Sequence, residues 1–293
     1  MSSLASVEFA ALDPLDAARR HADENIQFPL TLVDLAAVAE LSAYNFVRQF
    51  SARFGISPMA YVRERRLALA AAQLRQGAPP PLITLAFDCG FDSQEGFTRA
   101  FKRAYGVTPG RYWRQGPRLV SQESLTMTTA APTHLRLSQS PAPIRKGALR
   151  IAGLTQTFDD QTKAGIPDLW QRLVPLLPLP GQASRETFGV CAAAGSPGAM
   201  RYTAGVPLAS GAPAPAGIDV IELAPQSYLV FRQVLDGGPL HSQMQAAASE
   251  IWGARLPASG HRLAPAPDLE FYPAGFEPDQ PDAAVEWWIP VET

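Results

Sequence analysis

The sequence predicts two domains: an all-α N-terminal domain of two helix-turn-helix units, and an α+β C-terminal domain of two pseudo-symmetric modules. Three observations predict this fold class. The chain has 293 residues, which is longer than a single compact core usually supports. A two-helix pattern repeats within the first 115 residues, and a strand-helix-strand-strand pattern occurs twice in the second half.

The composition narrows the class of protein. Hydrophobic residues make up 46% and charged residues 18% of the chain, as in a folded globular protein. No apolar run approaches the roughly 20 residues that span a bilayer, and the first twenty residues lack the basic start of a secretory signal. Cys89 and Cys191 are distant in sequence and have no Cys or His at metal-ligand spacing. We therefore expect a cytoplasmic protein without a metal, a cofactor, a disulfide or a membrane partner.

Charge is distributed unevenly along the chain. Residues 1–118 contain 14 Lys and Arg against 11 Asp and Glu, whereas residues 119–293 contain 11 against 16. The net charges are therefore +3 and −5. This modest asymmetry is consistent with a polyanion-binding first half and a second half that binds something else.

The first helix-turn-helix unit follows from its caps and its apolar spacing. Thr31 is an N-cap candidate ahead of LVDLAAVAEL, and Ser42 is a second one ahead of AYNFVRQFSARFG. Phe46 and Phe50 lie at positions i and i+4 of that second helix, so they share one face. Pro58 then begins a longer helix that runs to about residue 76.

The second unit repeats the first at an interval of 51 residues. LITLAFDCG predicts a short helix, and Asp92 or Ser93 caps the helix that follows it. There Phe97 and Phe101 repeat the earlier Phe pair, and Arg99 repeats Arg48. Two helix-turn-helix units joined by one long helix are therefore predicted. A helical bundle whose arginines form only a solvated face is the alternative.

The second helix of each unit is the candidate reader of DNA. The phenylalanines anchor one side, and the opposite side of such a helix can enter the major groove. Arg can pair with guanine, Gln with adenine and Glu with cytosine, while Thr can contact a thymine methyl group. The predicted DNA-binding residues are Ser42, Tyr44, Val47, Arg48, Gln94, Glu95, Thr98 and Arg99.

This region resembles the AraC/XylS type of DNA-binding domain. The segment ITLAFDCGFDSQEGFTRAFKRAYGVTPGRYWR, residues 83–114, is similar to the family signature, and the first unit also fits. The resemblance implies that residues 1–115 place two reader helices in successive major-groove segments on one face of double-stranded DNA. Glu95 and Gly96 depart from the polar pair that is common in the family, so an operator preference cannot be inferred from it.

The remainder of the chain predicts a linker and a second domain. Residues 116–132 are rich in Ser, Thr, Pro and Gln and read as a linker, and residues 133–293 form the α+β domain. IPDLWQRLVPLL is the predicted helix of the first module, and PLHSQMQAAASEIWG that of the second. IDVIELAPQSYLVFRQV is read as the strand that opens the second module. A seam between two such modules is a natural place for a pocket.

Glu286 is a notable carboxylate in the aromatic segment VEWWIPV. Strand alternation puts Glu286 and Trp288 on one face, and Val285, Trp287 and Ile289 on the other. A carboxylate among aromatic rings suits a lipophilic cation, through charge pairing and cation–π contact. The alternative is that Glu286 faces solvent or pairs with an arginine.

Residues from about 146 to 293 resemble the GyrI-like effector-binding domain, which also occurs in multidrug-sensing regulators. The matching segments are IPDLWQRL, MRYTAGV and the stretch over 251–291. The resemblance implies a cleft between the modules in which Glu286 receives polar or cationic groups of an effector. The predicted ligand-binding residues are Glu286, Trp288, Trp170, Phe231, Tyr228 and Tyr272.

Together these patterns predict a transcription regulator rather than an enzyme. Its expected partners are double-stranded DNA and a small-molecule effector, with RNA polymerase as a further partner, while the oligomeric state is left open. Two alternatives concern the second domain: a hydrolase in which Glu286 activates a water, or a protein-interaction module without a ligand.

Overall fold

The computed structural model describes residues 13–76, 80–115, 135–140, 142–159 and 162–292. These residues divide into two compact units. The first consists of the helices before residue 116, apart from Ser51–Phe54, and the second consists of the strands and helices after residue 134 together with Ser51–Phe54. The predicted linker at 116–132 lies outside the described residues. The first unit contains seven described helices: α1 (Pro14–Glu24), α2 (Leu32–Val38), α3 (Ala43–Phe54), α4 (Pro58–Arg75), α5 (Leu82–Asp88), α6 (Gln94–Tyr105) and α7 (Pro109–Gln115).

The reader helices and the helix before the first of them begin at side-chain caps. The Thr31 hydroxyl accepts from the Asp34 amide, and the Asp34 carboxylate accepts from the Thr31 amide, which forms a capping box at α2. The hydroxyl of Ser42 accepts from the Asn45 amide at the start of α3, at 3.2 Å. Ser93 caps α6 in the same way, so of the two predicted cap candidates, Asp92 and Ser93, it is Ser93 that caps this helix. Each cap satisfies an amide that the helix itself leaves unpaired.

The two phenylalanine pairs anchor α3 and α6 to their units. The Phe46 and Phe50 ring centroids are 5.3 Å apart, and those of Phe97 and Phe101 are 5.6 Å apart. All four side chains are at most 1% exposed. Burying a side chain of this size contributes about 1.5–3 kcal/mol, so each pair fixes which face of its helix points to solvent. The repeat and the all-α double helix-turn-helix architecture are confirmed.

The described residues of the second unit form a nine-stranded sheet with helices packed on it. The strands are β1 (Arg136–Gln139), β2 (Ile144–Lys146), β3 (Leu149–Phe158), β4 (Thr187–Ala193), β5 (Met200–Pro207), β6 (Asp219–Leu223), β7 (Gln226–Val234), β8 (Asp268–Tyr272) and β9 (Ala284–Pro290). Their order is β1-β7-β9-β8-β4-β5-β3-β6, and β2 also pairs with β7. Every pairing among these strands is antiparallel.

Two modules of equal connectivity meet at the centre of this sheet. The first is β3-α8-β4-β5, where α8 is Ile166–Leu173, and the second is β7-α9-β8-β9, where α9 is Leu240–Glu250. The strand order joins them through the antiparallel pair of β4 and β8. The predicted α+β domain of two strand-helix-strand-strand modules is therefore confirmed. The predicted single strand over 218–234 is instead two strands, because Pro225 has no amide to donate to a ladder.

Both helices pack on the same face of the sheet, which we call the helix face. Register places Tyr202 and Ala204 of the α8 core on the same side of the sheet as Trp287 of the α9 core. The opposite face, here called the inner face, has a core of sheet residues. That core includes Leu223 from the edge strand β6 and Tyr228 from β7 in the other module, because the sheet curls upon itself.

Candidate functional site

The outward side of α6 carries the predicted reader residues of the second helix-turn-helix. Gln94, Glu95 and Arg99 are exposed, and Thr98 is half-buried. Phe97 on the opposite side is fully buried, so the helix cannot rotate without losing its anchor. This side therefore offers groups able to pair with guanine, adenine and cytosine edges.

The outward side of α3 differs from that of α6 because two of its side chains contact each other. The Arg48 Nη1 donates to the Tyr44 hydroxyl at 2.7 Å, and the Arg48 Cζ lies 5.3 Å from the Tyr44 ring centroid. Both side chains are half-buried, and Ser42 at the helix start is exposed. The contact holds the guanidinium in one orientation on the helix surface.

Val47 does not lie where the sequence prediction needs it. Its side chain is 9% exposed and belongs to the buried residues of α3, together with Phe46 and Phe50. The reason is helical geometry: Val47 follows Phe46 by 100° and precedes Phe50 by three residues, so it borders the anchored side. The expectation that Val47 reaches a base is corrected, and it packs the unit instead.

The six predicted ligand residues do not form one cleft. Glu286, Trp288 and Tyr228 lie on the inner face, because paired strand positions share a face and Trp288 belongs to the inner-face core. Trp170 and Tyr272 instead meet on the helix face, with ring centroids 5.4 Å apart. The sequence could show that residues alternate within each strand, but not that these two groups fall on opposite sides of one sheet.

Glu286 and Trp288 are engaged with groups of the chain itself. The Trp288 indole N–H donates to the Glu286 carboxylate at 2.8 Å, and its ring stacks on Phe271 at 5.2 Å. The Lys146 ammonium lies 3.9 Å from the Trp288 ring centroid. A cation of the protein thus already occupies the aromatic surface that was expected to receive a cationic ligand. Register also places Arg232 opposite Glu286. The structure therefore places Glu286 on the inner face, in contact with Trp288 and opposite Arg232.

Phe231 is also corrected. It is fully buried and packs in the α9 core with Trp287 and Ile251. In β7 it alternates with Tyr228 and Val230, which contribute to the inner face, so it points towards the helix. Its role is to attach α9 to the sheet, and no surface of Phe231 is open to a ligand.

A different carboxylate, Glu270, lies at the seam between the modules on the helix face. The Tyr202 and Tyr272 hydroxyls both donate to the same oxygen, Oε2 of Glu270, at 2.7 and 2.9 Å. The Trp170 indole N–H donates to the Tyr202 hydroxyl at 3.0 Å. Glu270 itself is half-buried. The first module supplies Tyr202 and Trp170, and the second supplies Glu270 and Tyr272.

Gly189 makes room for this arrangement at the central strand pair. It faces Glu270 directly across β4 and β8. A Cβ at Gly189 would come within 2.6 Å of the Glu270 Oε2 and into direct overlap with the Tyr202 hydroxyl. Any larger residue would therefore displace the carboxylate or the tyrosine.

The two tyrosines remain neutral donors at every ordinary pH. Burial raises the pKa of Tyr202 well above its usual range, and the nearby Glu270 charge raises it further. Burial and the Glu270 charge do the same to the pKa of Tyr272. Neutral hydroxyls aimed at one carboxylate oxygen stabilise its negative charge. The ring of Tyr272, which donates to that carboxylate, contacts the rings of Trp170 at 5.4 Å and of Phe276 at 5.1 Å.

Sequence reasoning missed Glu270 and Tyr202, although a signal was present. In DLEFY, strand alternation places Glu270 and Tyr272 on one face, and Tyr272 is one of the predicted ligand-binding residues. The glycine in TFGVC marks a close approach on a central strand. The aromatic segment VEWWIPV points to Glu286 instead.

Two general properties of the described residues complete the site description. Within the described ranges, no three His, Cys, Asp or Glu side chains are grouped so that they could hold a metal ion. None of the described helices is both long and apolar enough to cross a membrane.

Comparison with known families matches each unit separately. Residues 35–115 match a helix-turn-helix domain family, and residues 144–292 match the GyrI-like small molecule binding domain. The second match covers more than half of the chain.

Curated relatives align with the N-terminal part. The chain is 39% identical over 90 residues to a protein named "Probable transcriptional regulator LumQ" from Photobacterium leiognathi, covering 31% of this chain and 36% of LumQ. It is 42% identical over 86 residues to the transcriptional regulator Rob of Salmonella typhimurium, covering 29% of each chain. The aligned segments thus span about a third of the length of these relatives.

Among solved structures, that of SAV2435 bound to tetraphenylphosphonium aligns with 54% of this chain and 93% of its own, at 23% identity and a TM-score of 0.41. The family matches agree with the two units of the fold. The chain therefore belongs to the GyrI-like small-molecule-binding family, and its N-terminal unit is a helix-turn-helix region of the AraC/XylS type.

Proposed function

We propose that this protein is a DNA-binding transcription regulator whose second unit senses a small molecule. The observation that carries the DNA-binding half is the repeat: two anchored helices, α3 and α6, present Arg48 and Arg99 at matched positions of their outward sides. The aligned relatives are named transcriptional regulators, which supports the same role.

The proposed base contacts are those of the outward residues. Gln94, Glu95, Thr98 and Arg99 read one major-groove segment from α6, and Tyr44 and Arg48 read the next from α3. Ser42 lies at the start of α3, where a helix N-terminus suits a backbone phosphate.

Binding to an operator selected from random double-stranded DNA tests this half. We expect Arg48→Ala and Arg99→Ala each to weaken binding by about 5- to 150-fold, which corresponds to about 1–3 kcal/mol for a lost guanine contact. Arg172→Ala, which changes an exposed arginine on α8, is the control and leaves affinity unchanged. Wild-type affinity in both reader variants, measured by fluorescence anisotropy at fixed salt, would contradict the assignment.

For the sensing half, we propose that Glu270 receives the cationic group of a lipophilic effector. The supporting observation is its geometry. A half-buried carboxylate is held by two neutral tyrosine hydroxyls from different modules, and the ring of Tyr272 contacts those of Trp170 and Phe276. Aromatic faces and one negative charge attract a hydrophobic cation.

Thermal shift with tetraphenylphosphonium as the probe tests this half, with triphenylphosphine oxide as the neutral comparison. Bound ligand stabilises the folded state by RT ln(1 + [L]/Kd), so a shift reports affinity. We expect Glu270→Gln to weaken cation binding at least tenfold. Glu286→Gln is the matched control, since that carboxylate lies on the inner face, and it should bind as wild type does. If Glu286→Gln weakened cation binding and Glu270→Gln did not, the effector carboxylate would be Glu286 and not Glu270.

The two alternatives for the second unit have distinct outcomes. A hydrolase converts the bound compound, whereas a sensor releases it unchanged, which mass spectrometry distinguishes. A protein-interaction module gives no thermal shift with any compound. The aligned relatives favour regulation, and we infer that RNA polymerase is a further partner on DNA.

A further inference from the structure

Arg66 lies at the middle of α4, the helix that joins the two helix-turn-helix units. Its guanidinium donates to three backbone carbonyls. Nε donates to Ile26 at 3.1 Å and Nη2 to Phe28 at 2.9 Å, both in the segment that leads from α1 to α2. Nη1 donates to Gly90 at 2.8 Å. One side chain therefore links the segment between α1 and α2 to the turn between α5 and α6.

The far end of this bridge is adapted to the guanidinium. Gly90 has a φ of 71°, which an L-residue rarely adopts, and it stands four residues before the reader helix α6. A Cβ at Gly90 would lie 2.5 Å from the Arg66 Cζ. The backbone turn and the guanidinium thus pack directly on each other, and Arg66 is half-buried between them.

Only an arginine can span these acceptors. Its guanidinium directs five N–H donors within a plane, whereas the lysine ammonium is a point with three donors on a flexible stem. Three carbonyls from two separate segments, bound at once, therefore suit the arginine fork. The neighbouring Arg65 has a local role, since it pairs with Asp23 of α1 at 2.7 Å.

The distance between the reader helices matters for DNA. Two helices that enter successive major-groove segments must be separated by about one turn, roughly 34 Å or 10–10.5 base pairs. One extra base pair rotates the second site by about 35° around the duplex. A rigid link between the two helix-turn-helix elements therefore determines which spacing of half-sites the protein accepts.

We propose that Arg66 is a positioning residue that fixes α6 relative to α3 and thereby sets the spacing of the two operator half-sites. The inference rests on the proposed DNA-binding function. Arg66 needs no contact with DNA for this role; it acts through the Gly90 turn.

The test uses the full chain and the selected operator, with one or two base pairs inserted or removed between its half-sites. Wild type should lose at least tenfold in affinity for a two-base-pair change. Arg66→Lys should bind the native spacing about tenfold more weakly, yet vary less than threefold across the spacing series. Arg65→Lys is the matched control, one residue away on α4, and keeps the wild-type profile.

Two further measurements separate positioning from loss of folding or of DNA binding. A single half-site should bind Arg66→Lys as well as wild type, whereas Arg48→Ala loses half-site binding and so reports on the DNA-binding function itself. Spin labels at the exposed positions Ala37 and Ala104 should give a broader distance distribution in Arg66→Lys. A wild-type spacing profile in Arg66→Lys, or an unchanged distance distribution, overturns the inference.

Discussion

The hydrogen bonds from Tyr202 and Tyr272 to Glu270 support a quantitative prediction. Tyr202→Phe removes the 2.7 Å donor to the carboxylate and the acceptor of the Trp170 indole N–H. A hydrogen bond to a charged group contributes about 1.5–3 kcal/mol, so we expect the free energy of unfolding to fall by about 2 kcal/mol. Tyr272→Phe removes the 2.9 Å donor and should cost a similar amount.

The double variant should cost more than the sum of the single variants. Both hydroxyls donate to one oxygen, so in each single variant the remaining hydroxyl still stabilises the carboxylate. In the double variant Oε2 of Glu270 has lost both tyrosine donors. We expect a coupling energy of about 0.5–1 kcal/mol, as found for residues that share a partner. In a Glu270→Gln background each tyrosine should contribute only about 1 kcal/mol, because the acceptor is then neutral.

Differential scanning calorimetry of the full chain measures these effects. For a unit of this size, 1 kcal/mol corresponds to about 2–4 °C in Tm, so each single variant should lower the transition of the second unit by about 4–8 °C. Single variants that cost less than about 0.5 kcal/mol and add without coupling would refute the idea that the two tyrosines hold one charge.

Three further predictions concern other positions. Gly189→Ala should destabilise the second unit by about 1–3 kcal/mol and weaken cation binding, because its Cβ meets the Glu270 carboxylate at 2.6 Å. A wild-type midpoint in urea unfolding together with a wild-type affinity for the cation would contradict this. Tyr44→Phe keeps the ring under Arg48 but removes the hydroxyl that the guanidinium contacts at 2.7 Å. The preference for guanine over other bases, measured in DNA-binding titrations, should therefore fall a few-fold. An unchanged preference would show that this hydrogen bond does not orient Arg48 for base recognition. Burial raises the pKa of Tyr228 to about 12, with Asp268 adding to the shift, above the ordinary value of 10.0. Its neutral form therefore stabilises the fold fully below pH 10, and about 2 kcal/mol of this is lost as pH rises to 12. Urea unfolding at pH 9 and 11.5 should show this loss of stability in wild type and a smaller loss in Tyr228→Phe. An equal loss of stability in the two proteins would disprove the contribution of Tyr228.

Much of the N-terminal unit could be predicted because its signals are local. A cap such as Ser42 acts within three residues, and the Phe46–Phe50 pair acts within one helical turn, so both can be read from sequence spacing. The repeat then predicts the second helix-turn-helix from the first. Val47 was placed wrongly because it borders the anchored side, where spacing alone does not decide between burial and exposure.

The cluster around Glu270 was harder to predict because its residues are far apart in sequence. Strand alternation correctly separated Trp288 from Trp287, but a strand pattern does not state which face carries the helices. The tryptophan-rich strand therefore pointed to Glu286, while the carboxylate at the seam of the modules is Glu270.

The sequence by itself determined two domains, the double helix-turn-helix unit, the strand-helix-strand-strand repeat and the matched arginines Arg48 and Arg99. These rest on periodicity and capping, which act over a few residues. Only the tertiary structure decided which carboxylate lies at the seam and which side chain joins the segment before α2 to the turn before α6. Glu270 meets Tyr202 across 68 residues, and Arg66 meets Gly90 across 24 residues. Such contacts arise from strand register and helix packing, which no local pattern encodes.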